Sequence, residues 1–187
     1  SLKILSGLRP LPGRMNPLSG KSDCMLIDDT YSANSESTLA TLDWLKAVKS
    51  DGGRTIVVLG EMSGSQARNH IGYRNVGQKA SQIADIIITQ GTEASQIARA
   101  ALDMGMDPHN VRTTYSSYDS VSLLLNHYKI NEHDIVLVKG NSISRMEQTV
   151  RALLRDDADA EQLVRNNESE YPIIPFEPTR PSWVEID

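Results

Sequence analysis

The sequence of 187 residues has one cysteine, Cys24, and four histidines. A single cysteine cannot form an internal disulfide or supply the cysteine cluster of a structural zinc site, and no histidine pairs with an acid at metal-binding spacing. One phenylalanine and two tryptophans provide little base-stacking surface, and a formal charge of −5 opposes non-specific binding to nucleic acid. The longest apolar runs reach only five or six residues, too few for a membrane span. The composition therefore predicts a cytoplasmic globular protein without a metal site of its own.

What the chain does contain is an alternation of two kinds of segment. Short runs rich in Ile and Val predict strands buried on both faces, at 24–28, 55–59, 85–89, 111–115 and 134–138. Between them, polar segments with stripes of Ala and Leu predict helices at 35–50, 69–83, 92–105, 118–129 and 143–155. Alternation of this kind predicts an α/β fold, with a doubly wound, mostly parallel sheet and helices on both faces.

The two ends of the chain differ from this alternating body. Residues 1–23 are rich in Pro, Gly and Ser, and we expect an interdomain linker and entry turn there. Residues 24–155 hold the predicted α/β domain. Residues 156–187 begin with an acidic stretch and continue with prolines, which predicts a surface-packed or loose tail.

The loop 28–35 is the most informative candidate site, because ligands of open α/β sheets gather at the carboxyl ends of the strands. Its sequence, Asp-Asp-Thr-Tyr-Ser-Ala-Asn-Ser, places two acids, a tyrosine and an asparagine between a strand and a helix. A carboxylate there can accept hydrogen bonds from ribose hydroxyls, and the helix start attracts anions. The alternative is a plain helix cap, in which Asn34 or Ser35 satisfies the first backbone amides. Spacing alone leaves both interpretations open.

Two other patterns imitate known sites. Residues 15–22 end in Gly-Lys-Ser like a phosphate-binding loop, but the first glycine is replaced by Met15 and a strand follows instead of a helix. We therefore expect a turn that feeds the strand at Cys24. The acid pair at 28–29 with Lys139 is typical of phosphoacceptor receiver domains, but the middle strand ends in Gly60-Glu61, without the aspartate that would accept the phosphoryl group.

Four further stretches stand out, in order and covering about residues 8–155. They are Leu-Pro-Gly-Arg-Met at 11–15, Leu-Ile-Asp-Asp-Thr-Tyr-Ser-Ala-Asn at 26–34, Val-Val-Leu-Gly-Glu-Met at 57–62 with His70 downstream, and Val-Leu-Val-Lys-Gly-Asn-Ser at 136–142 followed by Met146-Glu147. Together they resemble the C-terminal domain of the Mur ligases. Among these ligases the resemblance is greatest to the type that adds D-alanyl-D-alanine to UDP-N-acetylmuramoyl-tripeptide.

The resemblance implies a Rossmann-like third domain of a three-domain, ATP-dependent amide ligase of peptidoglycan synthesis. The N-terminal and central domains of the same ligase would be its partners, and the central domain would hold most of the ATP and Mg²⁺. The substrates would be the UDP-muramoyl peptide and D-Ala-D-Ala, joined through an acyl phosphate, and the fragment alone would be inactive. Another amide ligase with a different amine acceptor, or a non-catalytic nucleotide-binding module, remains an alternative.

The same resemblance implies roles for individual residues. Arg14 would contact the nucleotide, Asp29 would hold the ribose hydroxyls with Asp28 orienting the loop, and Tyr31 and Asn34 would line the nucleotide pocket. On the acceptor side, it implies Glu61, His70 and Lys139.

The chain also departs from the family pattern. Met62 is followed by Ser-Gly-Ser where an acid-Leu-Gly stretch is usual, and Lys139-Gly-Asn-Ser replaces Lys-Gly-Ser-Arg, so that an arginine is lost unless Arg145 replaces it. Both changes concern the acceptor side. Finally, residues 180–187, Arg-Pro-Ser-Trp-Val-Glu-Ile-Asp, resemble the opening of alanine racemase, which implies a possible fusion to a racemase domain that would carry pyridoxal phosphate (PLP).

Overall fold

The computed structural model describes residues 11–49, 52–64 and 70–165. Six strands form one sheet in the order β1-β2-β6-β3-β4-β5. Their bounds are β1 Asn16–Ser19, β2 Met25–Asp29, β3 Thr55–Leu59, β4 Ile86–Gln90, β5 Val111–Thr114 and β6 Ile135–Lys139. All neighbouring pairs are parallel except β1 and β2. The predicted mostly parallel sheet is thus confirmed, with β2 to β6 within one residue of their expected bounds.

The sequence did not predict β1, which falls in the segment expected to be a linker. β1 pairs antiparallel with β2, so that Asn16 lies opposite Asp28. Asn16 and Leu18 are buried while Pro17 and Ser19 are exposed, and this alternation is typical of a strand with one face on the core. Proline is tolerated because β1 is the edge strand and needs no further backbone donor.

Five α-helices cover the two faces of the sheet in the described part of the chain. They are α1 Ser35–Val48, α2 Ile71–Ala80, α3 Ser95–Asp103, α4 Ser117–Ser122 and α5 Glu147–Leu153. One core packs α1, α2 and α3 against the sheet through residues such as Leu42, Val76 and Ile97. The second core packs α4 and α5 against the other face through Val121 and Val150. The predicted helices on both faces are confirmed.

Helix ends account for most differences from the predicted bounds. The segment 118–129 divides into α4 and one π-helical turn, Leu123–His127. The last helix begins at Glu147 rather than at 143, because residues 141–146 fold into turns. None of the described helices is long and apolar enough to cross a membrane.

The entry turn behaves as the sequence predicted. Lys21–Asp23 form one turn of 3₁₀ helix that leads into β2, with no helix after the Gly-Lys-Ser sequence. Cys24 is buried and free, and burial raises the pKa of its thiol to about 12. Because only the thiolate is a good nucleophile, this cysteine acts as a small apolar side chain.

The first part of the predicted tail is packed against the domain. Residues Asp157–Gln162 form a 3₁₀ helix, and Leu163 is buried in the second core. The stretch at 180–187 that resembles a racemase lies outside the described residues.

Candidate nucleotide and acceptor site

A buried ion pair joins the carboxyl ends of β2 and β6, which are adjacent parallel strands. Their register places Asp29 beside Lys139, and the ammonium of Lys139 lies 2.7 Å from Asp29 Oδ2. Only 3% of the Lys139 side chain and 10% of the Asp29 side chain are exposed. Thr41 of α1 donates a second hydrogen bond to Oδ2 at 2.9 Å, and the backbone amide of Met15 donates to Oδ1 at 3.3 Å. Oδ1 therefore retains acceptor capacity for a ligand hydroxyl.

Asp28 ties the segment before β1 to the loop that follows β2. Its Oδ2 accepts from the backbone amide of Gly13 at 3.1 Å, and its Oδ1 accepts from the amide and hydroxyl of Thr30 at 3.2 and 2.6 Å. Burial raises the pKa of the Asp28 carboxyl, against the opposing effect of these hydrogen bonds. The side chain is completely buried, and its contacts hold the loop in place.

Arg14 and Tyr31 form an exposed platform beside the ion pair of Asp29 and Lys139. The guanidinium carbon of Arg14 lies 4.0 Å from the centroid of the Tyr31 ring, within cation–π distance. The amide of Tyr31 donates to the carbonyl of Gly13 at 2.8 Å, which fixes the two segments side by side. Nearly half of Tyr31 (45%) remains exposed, and the platform offers a cation and an aromatic face to solvent.

Asn34 is the N-cap of α1. Its side chain accepts from the amide of Ser37 at 2.7 Å, while the Ser37 hydroxyl accepts from the amide of Asn34, so that the two residues form a capping box. The helix-cap interpretation of the loop is therefore correct for Asn34. It does not exclude a ligand, because Asn34 also lines a cleft.

That cleft, of about 330 Å³, lies between the start of α1 and the loops that follow β3 and β6. Its lining is polar and consists of residues 32–36 together with Ser63, Gly64, Asn141 and Ser142. The amide of Ser63 donates to the carbonyl of Ala33 at 2.8 Å, which closes one side of the cleft.

The loop after β6 owes its shape to the side chain of Asn141. The Asn141 Oδ1 accepts from the amides of Ile143 and Ser144 at 3.0 and 2.9 Å, and from the Ser144 hydroxyl at 3.1 Å. The side chain of Asn141 therefore supplies the acceptor that forms this turn.

Two glycines let the ends of β3 and β6 meet. A side chain at either Gly60 or Gly140 would collide with Met146, which is completely buried. The amide of Gly60 donates to the carbonyl of Lys139 at 2.7 Å. The two strand ends therefore pack closely against each other and against Met146.

The three residues predicted for the acceptor side do not line this cleft. Lys139 is buried with Asp29 at the ends of β6 and β2. The Glu61 side chain packs on Gly91 and accepts from the amide of Glu93 at 3.4 Å. His70, which precedes α2 in a left-handed conformation, is half-exposed with its Nδ1 3.2 Å from a carboxylate oxygen of Glu93. The structure thus brings Arg14, Asp28, Asp29, Tyr31 and Lys139 together, places Asn34 at the cleft, and leaves Glu61 and His70 beside α3.

Sequence reasoning missed three supporting residues. Thr41 had a signal, because helical spacing places it on the buried face of α1 with Leu45. Glu147 is buried and accepts hydrogen bonds from Arg145 and Arg165. These contacts oppose the effect of burial and lower the pKa of the Glu147 carboxyl. Arg145 is therefore paired with this buried carboxylate. Arg165 contacts the carbonyl of Thr30 across a sequence separation of 135 residues, so that no local sequence pattern could have predicted this contact.

Comparison with known proteins identifies the family of the chain. The profile of the Mur ligase, glutamate ligase domain, matches residues 13–142. The UDP-N-acetylmuramoyl-tripeptide–D-alanyl-D-alanine ligase of Escherichia coli K12 is 28% identical over 150 residues, which cover 80% of this chain and 31% of that enzyme. The enzyme of the same name from Haemophilus influenzae is 30% identical over 142 residues, covering 75% and 30%. The chain thus spans about a third of the length of these relatives.

Solved structures support the fold. MurF ligase from Thermotoga maritima in complex with ADP superposes with a TM-score of 0.65 at 19% identity, covering 81% of this chain and 33% of that one. A structure of MurF from Acinetobacter baumannii gives a TM-score of 0.67 at 23% identity, covering 82% and 33%. The Rossmann-like α/β fold is shared with these proteins. With most of the chain matched by the family profile, the molecule belongs to the Mur ligase family, of which it carries the C-terminal domain.

Proposed function

We propose that the chain is the nucleotide-closing domain of an ATP-dependent amide ligase that adds D-Ala-D-Ala to UDP-N-acetylmuramoyl-tripeptide. One observation carries the proposal: Asp29, Arg14 and Tyr31 converge at the carboxyl end of β2, where an open α/β sheet binds nucleotides. The two relatives that bear this activity in their names match the chain over three quarters or more of its length.

The residues fit a nucleotide. Oδ1 of Asp29 can accept a ribose hydroxyl, because Lys139 and Thr41 hold the other oxygen. Arg14 carries a permanent charge for a phosphate or an adenine face, and the Tyr31 ring adds a stacking surface. Lys139 acts in this proposal on the nucleotide side, by holding Asp29.

The cleft fits a small polar acceptor. Hydroxyls, the side chains of Asn34 and Asn141 and the carboxylate of Glu36 line it. The start of α1 adds a partial positive charge that favours a carboxylate, while Glu36 favours an amine. We therefore transfer the acceptor role from Glu61, His70 and Lys139 to the rim formed by Ser63 and Ser142.

In the whole enzyme, the central domain would hold most of the ATP and the Mg²⁺, which neutralises phosphate charge when bound. ATP would phosphorylate the terminal carboxylate of the tripeptide and leave as ADP. The dipeptide amine would then attack the acyl phosphate, losing a proton and expelling inorganic phosphate as the amide forms. The domain described here would orient both ligands and exclude water on closing. The reaction is expected in the cytoplasm, and the fragment alone is expected to be inactive.

The test is a ligase assay on the longer protein that carries this chain, with release of phosphate and formation of the amide product measured together. D-Ala-D-Ala should be used far better than single amino acids. Preference for another amine would identify a ligase with a different acceptor, and absence of any product would favour a non-catalytic nucleotide-binding module.

Two measurements test the nucleotide role separately. Asp29→Asn keeps one acceptor oxygen, replaces the other with an NH2 group that can only donate, and removes the charge; in the folded variant it should raise the KM for ATP with a smaller effect on kcat. The isolated chain should bind ATP weakly, and submicromolar affinity in calorimetry would contradict the proposed division of labour between domains.

A further inference from the structure

Arg165 connects the end of the described domain to the loop 28–35, called here the nucleotide loop. One terminal nitrogen of its guanidinium lies 2.8 Å from the backbone carbonyl of Thr30 and 2.8 Å from Oε2 of Glu147, while its Nε lies 3.1 Å from Oε1. The pairing with Glu147 is thus bidentate, the geometry that arginine provides and lysine does not.

The partner of Arg165 is held in a fixed place. Glu147 opens α5, and only 5% of its side chain is exposed. It also accepts a hydrogen bond from Arg145. One buried carboxylate thus joins the loop after β6, through Arg145, to Arg165. A buried carboxylate with two guanidinium partners resists displacement, because breaking the pair leaves an uncompensated charge.

Backbone geometry shows that the contact is maintained against strain. Arg165 has a φ of 55°, in the left-handed region that non-glycine residues rarely adopt. Such a conformation persists when the surroundings determine it, and here three hydrogen bonds do so. The preceding residue, Val164, packs against Gly13 in the segment before β1: a Cβ added to Gly13 would lie 2.9 Å from a methyl group of Val164.

From these contacts we propose that Arg165 is a positioning residue for the nucleotide loop: bound to Glu147, it holds the Thr30 carbonyl and thereby sets the place of Tyr31 and Asp29. The proposal rests on the proposed function for its kinetic consequence, but the contact itself can be tested without a ligand. Residue 165 belongs to the segment expected to be a tail, and the inference gives that segment a role in the site.

The first experiment measures amide hydrogen exchange by NMR on the 187-residue chain. Arg165→Ala should speed exchange of the Thr30 and Tyr31 amides at least about tenfold, while the amides of β3 change less than about twofold. Arg165→Lys should give a smaller increase, because it restores one contact but not the bidentate pair. Arg155→Ala is the matched control, since Arg155 pairs with exposed Asp23 instead.

The second experiment measures kinetics of the longer ligase that carries the chain. Arg165→Ala should raise the KM for ATP about fivefold or more, with kcat and the KM for the muramoyl peptide within about twofold. Arg165→Lys should recover part of the loss and serves as the test variant if Arg165→Ala does not fold.

Unchanged exchange at Thr30 and Tyr31, or equal acceleration throughout the sheet, would overturn the proposal. Faster loop exchange with an unchanged KM for ATP in an active ligase would also overturn it, because the loop would then be loosened without consequence for the nucleotide. If the longer protein has no ligase activity at all, the proposed function fails, while the exchange experiment still decides the contact.

Discussion

The ammonium of Lys139 and the carboxylate of Asp29 lie 2.7 Å apart at the ends of adjacent parallel strands, where both are buried. Neither group can be removed alone without leaving the other charge in the protein interior. This pair is therefore a sensitive point for stability as well as for the candidate site.

We expect Lys139→Met to lower the free energy of unfolding by about 3–5 kcal/mol, because it leaves Asp29 buried without its cation. The double variant Asp29→Asn with Lys139→Met should recover most of this loss. Urea unfolding followed by circular dichroism measures both. If the double variant were as unstable as Lys139→Met alone, packing of the lysine stem rather than charge would explain the effect.

Tyr31 and Arg14 give a prediction for the nucleotide. In the longer ligase, Tyr31→Ala should raise the KM for ATP by about tenfold, the equivalent of the 1–1.5 kcal/mol expected from an aromatic contact. Tyr31→Phe keeps the ring and should remain within about twofold of the parent. Equal effects of the two substitutions would assign the role to the hydroxyl and contradict the platform described here.

Asn141 gives a prediction for the loop after β6. Asn141→Ala removes the acceptor of two backbone amides and should cost about 1–3 kcal/mol in the free energy of unfolding. Asn141→Asp retains a side-chain acceptor in the same place and should cost less. Chemical denaturation ranks the two, and an alanine variant as stable as the parent would show that the turn forms without this side chain.

Asp134 gives a pH dependence. It is buried, accepts two guanidinium hydrogen bonds from Arg54, and also accepts from the amides of Arg54 and Asn131. Burial alone would raise its pKa, but these hydrogen bonds lower it below the usual value. Because the folded pKa is depressed, the stabilisation is present above the unfolded pKa of about 4 and is lost as the pH falls through the folded value.

We therefore expect Asp134→Asn to be less stable than the parent by about 1.5–3 kcal/mol at pH 7. The difference in the free energy of unfolding between the variant and the parent should become smaller when urea unfolding is repeated at about pH 3 and below. Asp43→Asn is the control, because Asp43 pairs with Lys79 at the surface and should change stability by less than about 1 kcal/mol. A difference for Asp134→Asn that did not change with pH would exclude charge as its source.

The sequence predicted those parts of the fold that depend on local pattern. Buried parallel strands such as Thr55–Leu59 are continuous apolar runs, and such runs are sufficient to predict a strand from the sequence. The strand at Asn16–Ser19 escaped because its proline and short length are typical of a linker, and only pairing with β2 identifies it.

For the candidate site, residues within one motif were predicted more easily than their partners. The loop 28–34 was recognised because its acids and tyrosine lie together in the sequence, and the structure places them together. The ion pair between Lys139 and Asp29 was not predicted, since the sequence does not state that β6 inserts between β2 and β3 and carries its lysine to Asp29. Strand order is a tertiary property, and no local pattern encodes it.

The close approach at Gly60 and Gly140 has a consequence for redesign of the molecule. A side chain at either position would collide with Met146 in the core, so that both positions are unsuitable for variation. Ser63 and Ser142 are exposed at the mouth of the cleft and can be exchanged for larger or charged side chains at little cost to folding. A library confined to these two serines would change the lining of the cleft while the scaffold stays intact.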